Sequence, residues 1–320
     1  MKSKAILALF LCFCMFFFAG CKREPENQPP PQQPEPQQEV PETPPEPEET
    51  TVTIEKVAPV CVVINNHPAA KPQSGLQEAT FVYEFFVEGG LTRFLAVYDR
   101  HFTDNFLIGP VRSIRPYFAE KAMEHGGAIV YSGSSKRTEQ MIAGLKLKKI
   151  VSSEYLWRDG SRKAPHNLYT DLESIYKARG ESEVERLVFE PPELPAGEEA
   201  KEIEITYTRQ HVVTYAYDEE SKLYLRNENG TPHLDRETGK QYGATRVIVQ
   251  RYPHTDVPDP ANNRTLVDIK LTGSGEAVLY EAGQKYHLTW EHTGSGTVYR
   301  HADGREVDLR LGNTWIQVVR

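Results

Sequence analysis

The chain has 320 residues, 39% of them hydrophobic, and a formal net charge of −8, so it is long enough for a large core and carries no global positive field. The acid is concentrated: residues 22–55 hold nine glutamates against Lys22 and Arg23, which leaves −3 for residues 56–320 once Lys2 and Lys4 are set aside. Nothing in this balance argues for nucleic acid, and no nucleic-acid partner is expected.

The first residues, MKSKAILALFLCFCMFFFAGC, place Lys2 and Lys4 before an apolar run from Ala5 to Ala19. That pattern is a secretion signal, too short and wrongly flanked for an ordinary spanning helix. The ending Phe18-Ala19-Gly20-Cys21 looks like a bacterial lipobox, with Phe where Leu is more usual. Residues 1–20 therefore read as a lipoprotein signal peptide. Cys21 is the expected lipidation site, with the membrane as partner through its lipid, and an outer-face, extracytoplasmic location follows.

Residues 21–56 are almost all Pro, Glu, Gln and Thr and cannot bury apolar surface, so they read as a disordered spacer favouring extended polyproline II. Of the four cysteines, two lie in the signal and one is Cys21, so Cys61 alone remains in the apolar run VCVVI and no intrachain disulfide is expected.

The remaining chain is expected to be α+β: a mixed α/β domain over 57–192, then a smaller, mainly antiparallel β domain over 193–320. Val60 to Ile64 predicts a buried strand. The run YEFFVEGGLTRFLAVY predicts a hairpin turning at Gly89-Gly90, with Phe86 opposite Arg93. The segment after Gly109-Pro110 predicts a helix capped by Ser113 and ended by glycines. AIVYS (128–132) predicts a strand that feeds a Gly-Ser-Ser loop and a helix from about Arg137 to Leu145. Thr170 to Glu173 predicts a capping box for a helix to about Lys177.

A Pro- and Glu-rich break at 190–200 follows. Beyond it EIEITY, VVTYAY, KLYLR, TRVIVQRY, TLVDIKL, AVLYE, YHLTW, REVDLRL and TWIQVV all predict strands. They build either a separate β domain or an extension of one sheet.

In the expected hairpin register Glu84, Glu88 and Arg93 share an otherwise apolar face, where charged groups need partners. They form either a structural ion-pair network or the lining of a cleft. Arg112 and Arg115 flank the first turn of a helix, where cations are unfavourable unless an anion compensates. Glu84 and Glu88, or an anionic ligand, would compensate them. Ser132 and Ser134 lie in a strand-to-helix loop, a common ligand position in α/β proteins. Arg158, Arg162, His166 and Asn167 precede a capped helix, and Asn66 and His67 follow the first buried strand. His233, Asp235, His254, Asp256 and Asp259 read more simply as surface turns than as metal ligands. The chain has no CxxC, HExxH, GxSxG or GxGxxG, so neither metal nor cofactor is expected.

The stretches AKPQSGLQEATFVYEFFVEGGLTRFLAVY, GPVRSIRPYF, RKAPHNLYT and GNTWIQVV, in this order, resemble the YerB-like bacterial lipoproteins, a family whose domain is of unknown function. The resemblance covers residues 56–320 and implies an N-terminal α/β part, a smaller C-terminal part and a lipid-anchored setting. It supplies no catalytic residues, though the family's motif positions include Glu84, Glu88, Arg93, Arg112, Arg115, His166 and Asn167. The leading expectation is an envelope binding or accessory protein that holds an anionic ligand or an acidic partner segment. The alternative is an envelope hydrolase or transferase with Glu84 or Glu88 as general acid or base, assisted by His166 or His67. A third reading makes the polar cluster purely structural.

Overall fold

The computed structural model of the chain describes residues 52–100, 102–180, 184–189, 194–259, 263–294, 296–309 and 312–320. The expected signal, Cys21 and the spacer as far as residue 51 lie outside these residues. The end of the expected spacer is ordered instead: Val52–Val57 pairs antiparallel with Val184–Phe189.

One large twisted sheet organises the molecule. From one edge its path runs through Glu198–Glu199, Gln284–Thr293, Ser274–Glu281, Arg246–Arg251 and Thr314–Val319. It continues through Phe81–Phe86, Thr92–Tyr98, Val60–Asn65 and Ala128–Val130 to Lys148–Ile150. Val60–Asn65 and Thr314–Val319 are buried at every position, which is why they read as unbroken apolar runs rather than alternating ones. A second, five-stranded antiparallel sheet is built mainly from Glu202–Thr208, His211–Asp218 and Leu223–Glu228.

The balance is mostly β, with three α-helices among the described residues: α1 Pro116–Glu124, α2 Lys136–Ile142 and α3 Leu172–Arg179. This corrects the α+β expectation, in which helix was to share the N-terminal part with strand. The C-terminal strands also do more than form an antiparallel unit. Thr314–Val319 pairs parallel with both Arg246–Arg251 and Phe81–Phe86, so the large sheet passes through both halves of the chain. Leu279, Val247 and Trp315 join Val62 and Val97 in one core, and this shared burial is what the local strand pattern could not show.

Three local expectations change. Arg115, rather than Ser113, is the N-cap residue of α1, with Pro116 at the first helical position. Asp171 caps α3 by accepting from the Ser174 N–H, in place of Thr170. Among its described residues, 305–309, REVDLRL forms no strand beyond a bridge from Glu306 to Arg300, and the strand of that region is Gly296–His301. No described helix is long and apolar enough to cross a membrane.

The hairpin register is the correction with the widest consequence. Glu88, Gly89 and Gly90 form a three-residue loop closed by the Val87 N–H donating to the Leu91 carbonyl (2.8 Å), with both glycines at φ near +70°. Arg93 therefore lies opposite Phe85, and Thr92 opposite Phe86. A slip of one residue moves a side chain to the other face of a strand. Glu84 and Phe94 now face the five-stranded sheet, whereas Phe85 packs on Tyr117 and Phe118 of α1 and Arg93 reaches Ser113 just before it.

Candidate functional site

The register separates the expected Glu84–Glu88–Arg93 group into two sites on opposite faces of the sheet.

Glu84 is fully buried and anchors the first. Its Oε1 accepts from Thr92 (2.7 Å) and Asn66 (3.3 Å) and lies 2.6 Å from His211 Nε2, while its Oε2 accepts from Arg226 (2.8 Å). The other end of the Arg226 guanidinium donates to Glu228 (2.8 Å) and to His233 Nδ1 (2.6 Å), and Lys71 pairs with Glu228. His233 passes its remaining N–H to Gln73 (2.7 Å), so this ring is neutral, and burial with the adjoining Arg226 charge holds its pKa well below the ordinary value. The Arg226 guanidinium also lies 5.0 Å from the Trp315 ring and 5.4 Å from Phe94.

Burial opposes ionisation of Glu84, but Arg226 and His211 outweigh it and hold the carboxyl far below its ordinary range. A general acid needs the opposite shift and access to substrate. Glu84 has neither, which leaves it unsuited to the general-acid role that the alternative reading gave it. Its carboxylate works as a tie between the sheets.

Glu84, His211 and Glu228 present ligand atoms within 4.8 Å of one another, close enough to suggest a cation. The donor set does not fit one. The Asn66 amide nitrogen already donates to Glu84, Thr92 and Glu228, and Arg226 and Lys71 balance both carboxylates. A cation there would displace a hydrogen-bonded amide and meet two neighbouring positive charges. Asn66 thus belongs to this buried group. His233 and Asp235, read from the sequence as surface-turn residues, are buried as well, Asp235 accepting from the Gly75 N–H and the Tyr242 hydroxyl.

The second site lies at the carboxyl ends of two parallel strands, Val60–Asn65 and Ala128–Val130, where open α/β sheets characteristically bind ligands. The extended segment Val111–Arg115 is laced to both. Arg112 N donates to Val63 O (2.8 Å), Ser132 N to Arg112 O (3.1 Å), and Ile114 N to Gly133 O (3.0 Å). Val111 N donates to Leu168 O (2.6 Å), which brings in the loop carrying Arg158, Arg162, His166 and Asn167. Gly133, at φ +86°, lets these loops close up, because a Cβ there would lie 2.9 Å from Ser113 Oγ.

Four arginines gather here. Arg93 donates to the Ser113 carbonyl (2.9 Å) and lies 4.0 Å from Glu88, while Arg115 binds Glu88 through Nε (2.6 Å). Glu88 is thus the internal compensation for Arg115 that Glu84 was also expected to give. Arg158 donates to Asn167 Oδ1 (2.7 Å), a neutral partner. The Arg112 side chain is half-buried, and its guanidinium makes no hydrogen bond or ion pair among the described residues. Burial and the neighbouring Arg115 and Arg158 charges push its pKa down, as burial and Arg115 push Arg93 down to about 10.

Two imidazoles complete the wall. His67 and His166 stack with ring centroids 4.5 Å apart. His166 Nδ1 accepts from Asn65 Nδ2 (2.8 Å) and His67 Nδ1 from the Ala69 N–H (3.0 Å), so each neutral ring carries its proton on Nε2. Burial, then His67, Arg112 and Arg162, lower the His166 pKa.

The remaining expected residues shape the loops. Arg162 is spent on the carbonyls of Lys71 and Pro72 and on the Tyr169 hydroxyl, Asn167 on the carbonyls of Asp159 and Arg162, and Ser134 on Glu139. Ser132 sits half-exposed between Arg112 and Gly133. Arg226, His211, Glu228 and Lys71 were not singled out from the sequence. Their partners lie more than a hundred positions away in most cases, and no local spacing signals them.

Comparison with known proteins gives a consistent family picture. Residues 46–185 match the N-terminal domain, and residues 203–316 the C-terminal domain, of a family described as protein of unknown function (DUF3048). The chain is 29% identical to YerB of Bacillus subtilis (strain 168), named as a candidate lipoprotein, over 97% of this chain and 93% of that protein. The crystal structure of the YerB protein from Bacillus subtilis superposes with a TM-score of 0.72, covering 82% of this chain and 91% of that one at 29% identity.

Proposed function

The chain belongs to the DUF3048 family of YerB-like proteins, and we propose that it is a lipid-anchored, extracytoplasmic binding protein whose arginine cleft holds an anionic ligand or an acidic segment of an envelope partner. One observation carries this reading. Arg112, a half-buried guanidinium, has no acceptor among the described residues and stands beside other cations. Desolvating a charge beside like charges costs free energy unless something of opposite sign completes the site. The lipobox-like ending at Cys21 and the name of the Bacillus relative support the anchored setting.

A thermal melt of the purified protein against a panel of anions tests the cleft. A ligand at about 100 times its dissociation constant adds about 2.7 kcal/mol of stability. The rise is expected with the native chain and absent in Arg112→Ala. No stabilisation by any anion or acidic peptide would refute the proposal. Fractionation of cells expressing Cys21→Ala tests the anchor: the variant is expected to leave the membrane fraction.

A further inference from the structure

We infer that the group taken by this cleft is a doubly charged tetrahedral oxyanion, of the kind that ends a phosphate monoester, rather than a carboxylate. The inference rests on the anion-binding reading above and narrows it.

The first argument is charge. Arg115 and Arg112 lie close enough to Arg93, and Arg115 and Arg158 close enough to Arg112, to lower its pKa, and Glu88 is the one carboxylate paired with any of these arginines among the described residues. The other acids of these loops are engaged elsewhere: Glu139 with Ser134 and Lys149, Asp159 with Arg236. The cluster carries a surplus that a single carboxylate does not balance.

The second argument is the donor set. A carboxylate is planar, and one bidentate arginine already matches both of its oxygens. This cleft offers the whole Arg112 guanidinium, the second nitrogen of Arg158, the Ser132 hydroxyl and the Nε2–H groups of His67 and His166. They come from four separate stretches of chain: the loop after Val60–Asn65, the segment before α1, the loop before α2, and the 158–167 loop. Donors drawn from four separate stretches of chain suit an oxyanion with oxygens in three dimensions. Nearly every fixed group is a donor, as binding phosphate oxygens requires.

A consequence follows for protons. The groups facing His166 are His67, Asn65, Arg112 and Arg162, and none is acidic. A dianion placed among them favours the charged form of the imidazole, in which Nδ1 gains a proton and gives up its bond from Asn65, so binding takes up a proton. Sulfate isolates this effect, because it stays doubly charged from about pH 8 to about pH 5 while the imidazole titrates.

The test is calorimetric titration of the purified full chain at fixed ionic strength with sulfate, inorganic phosphate, glycerol 3-phosphate and acetate. Sulfate and phosphate are expected to bind at least about tenfold more tightly than acetate. Sulfate affinity is expected to rise as pH falls from about 8 to about 5.5, with proton uptake that disappears in His166→Gln. Arg112→Ala is expected to abolish sulfate binding. Acetate or an acidic peptide binding as well as sulfate, with the loss in Arg112→Ala intact, would overturn the dianion and leave the anion cleft standing. Absence of binding by every anion would remove both.

Two further arms separate sources of the phosphoryl group. Binding to vesicles containing phosphatidic acid, but not phosphatidylglycerol, places it on a lipid. Binding of glycerol 3-phosphate without vesicle binding places it on a soluble or polymeric monoester. Failure of both phosphate monoesters overturns the inference.

Discussion

Replacing Glu84 by Ala is expected to cost about 3–5 kcal/mol of folding stability, the range for removing one partner of a buried ion pair. The magnitude follows from what is left behind. Glu84 and Arg226 are both fully buried, and the carboxylate collects contacts from Arg226, His211, Thr92 and Asn66 at 2.6–3.3 Å. Without it the Arg226 cation keeps Glu228, which Lys71 already shares, and His233, which is neutral. Equilibrium unfolding in urea at pH 7 measures the loss directly. In the double variant Glu84→Met/Arg226→Met the isolated charge is gone and apolar volume replaces it, so most of the loss is expected to return, a coupling of about 2 kcal/mol or more.

The same tie predicts a pH dependence. The folded carboxyl is depressed below its unfolded value of about 4.3. Its stabilisation is therefore fully present at neutral pH and drains away as the pH falls below that value. Native protein is expected to lose more stability than Glu84→Ala between about pH 5 and about pH 3. A cost under about 1 kcal/mol for Glu84→Ala, with an unchanged denaturant slope, would refute the view that this buried pair joins the two sheets.

His125 contributes at milder pH. Burial beside Phe81 and Tyr83 pushes its pKa down to about 4, so the unfolded chain binds its proton first and stability falls as pH drops from about 6.5 to about 4. His125→Gln is expected to flatten unfolding free energy over that interval. Arg112→Ala is expected to leave the melting temperature of ligand-free protein unchanged or slightly raised, because it removes a guanidinium with no partner among the described residues, while abolishing sulfate binding by calorimetry. Gly133→Ala must hold a left-handed backbone against Ser113 Oγ, so it is expected to cost about 1–2 kcal/mol in urea unfolding, with part recovered in Gly133→Ala/Ser113→Gly. Trp315→Ala, which empties a fully buried site against Arg226, Phe94 and Tyr242, is expected to cost about 3–5 kcal/mol by the same assay.

Most members of the arginine cluster were singled out before the fold was known. Arg112 and Arg115 stand out because they sit at a helix start, His67 because it follows a buried strand, and Arg158 and His166 because they crowd a short loop. Those signals are local, and the structure brings these residues together. The two glutamates were a different case. Both were correctly marked as charges inside an apolar hairpin, but their common face depended on a two-residue turn. The chain uses a three-residue loop at Glu88-Gly89-Gly90, and that one extra residue sent Glu84 to the buried hub and left Glu88 with the arginines.

By itself the sequence determined the composition-driven features and the short-range ones: the lipobox-like end, the acidic Pro-rich stretch, most strands and all three helices to within a few residues. These depend on periodicity, capping and turn chemistry, which act over a few positions. Only the tertiary structure decided that the C-terminal strands complete the N-terminal sheet, and that Arg226 from one half meets Glu84 from the other. Parallel pairing across two hundred residues and a charge buried with its partner are settled by which faces exclude water together, and no local pattern encodes that.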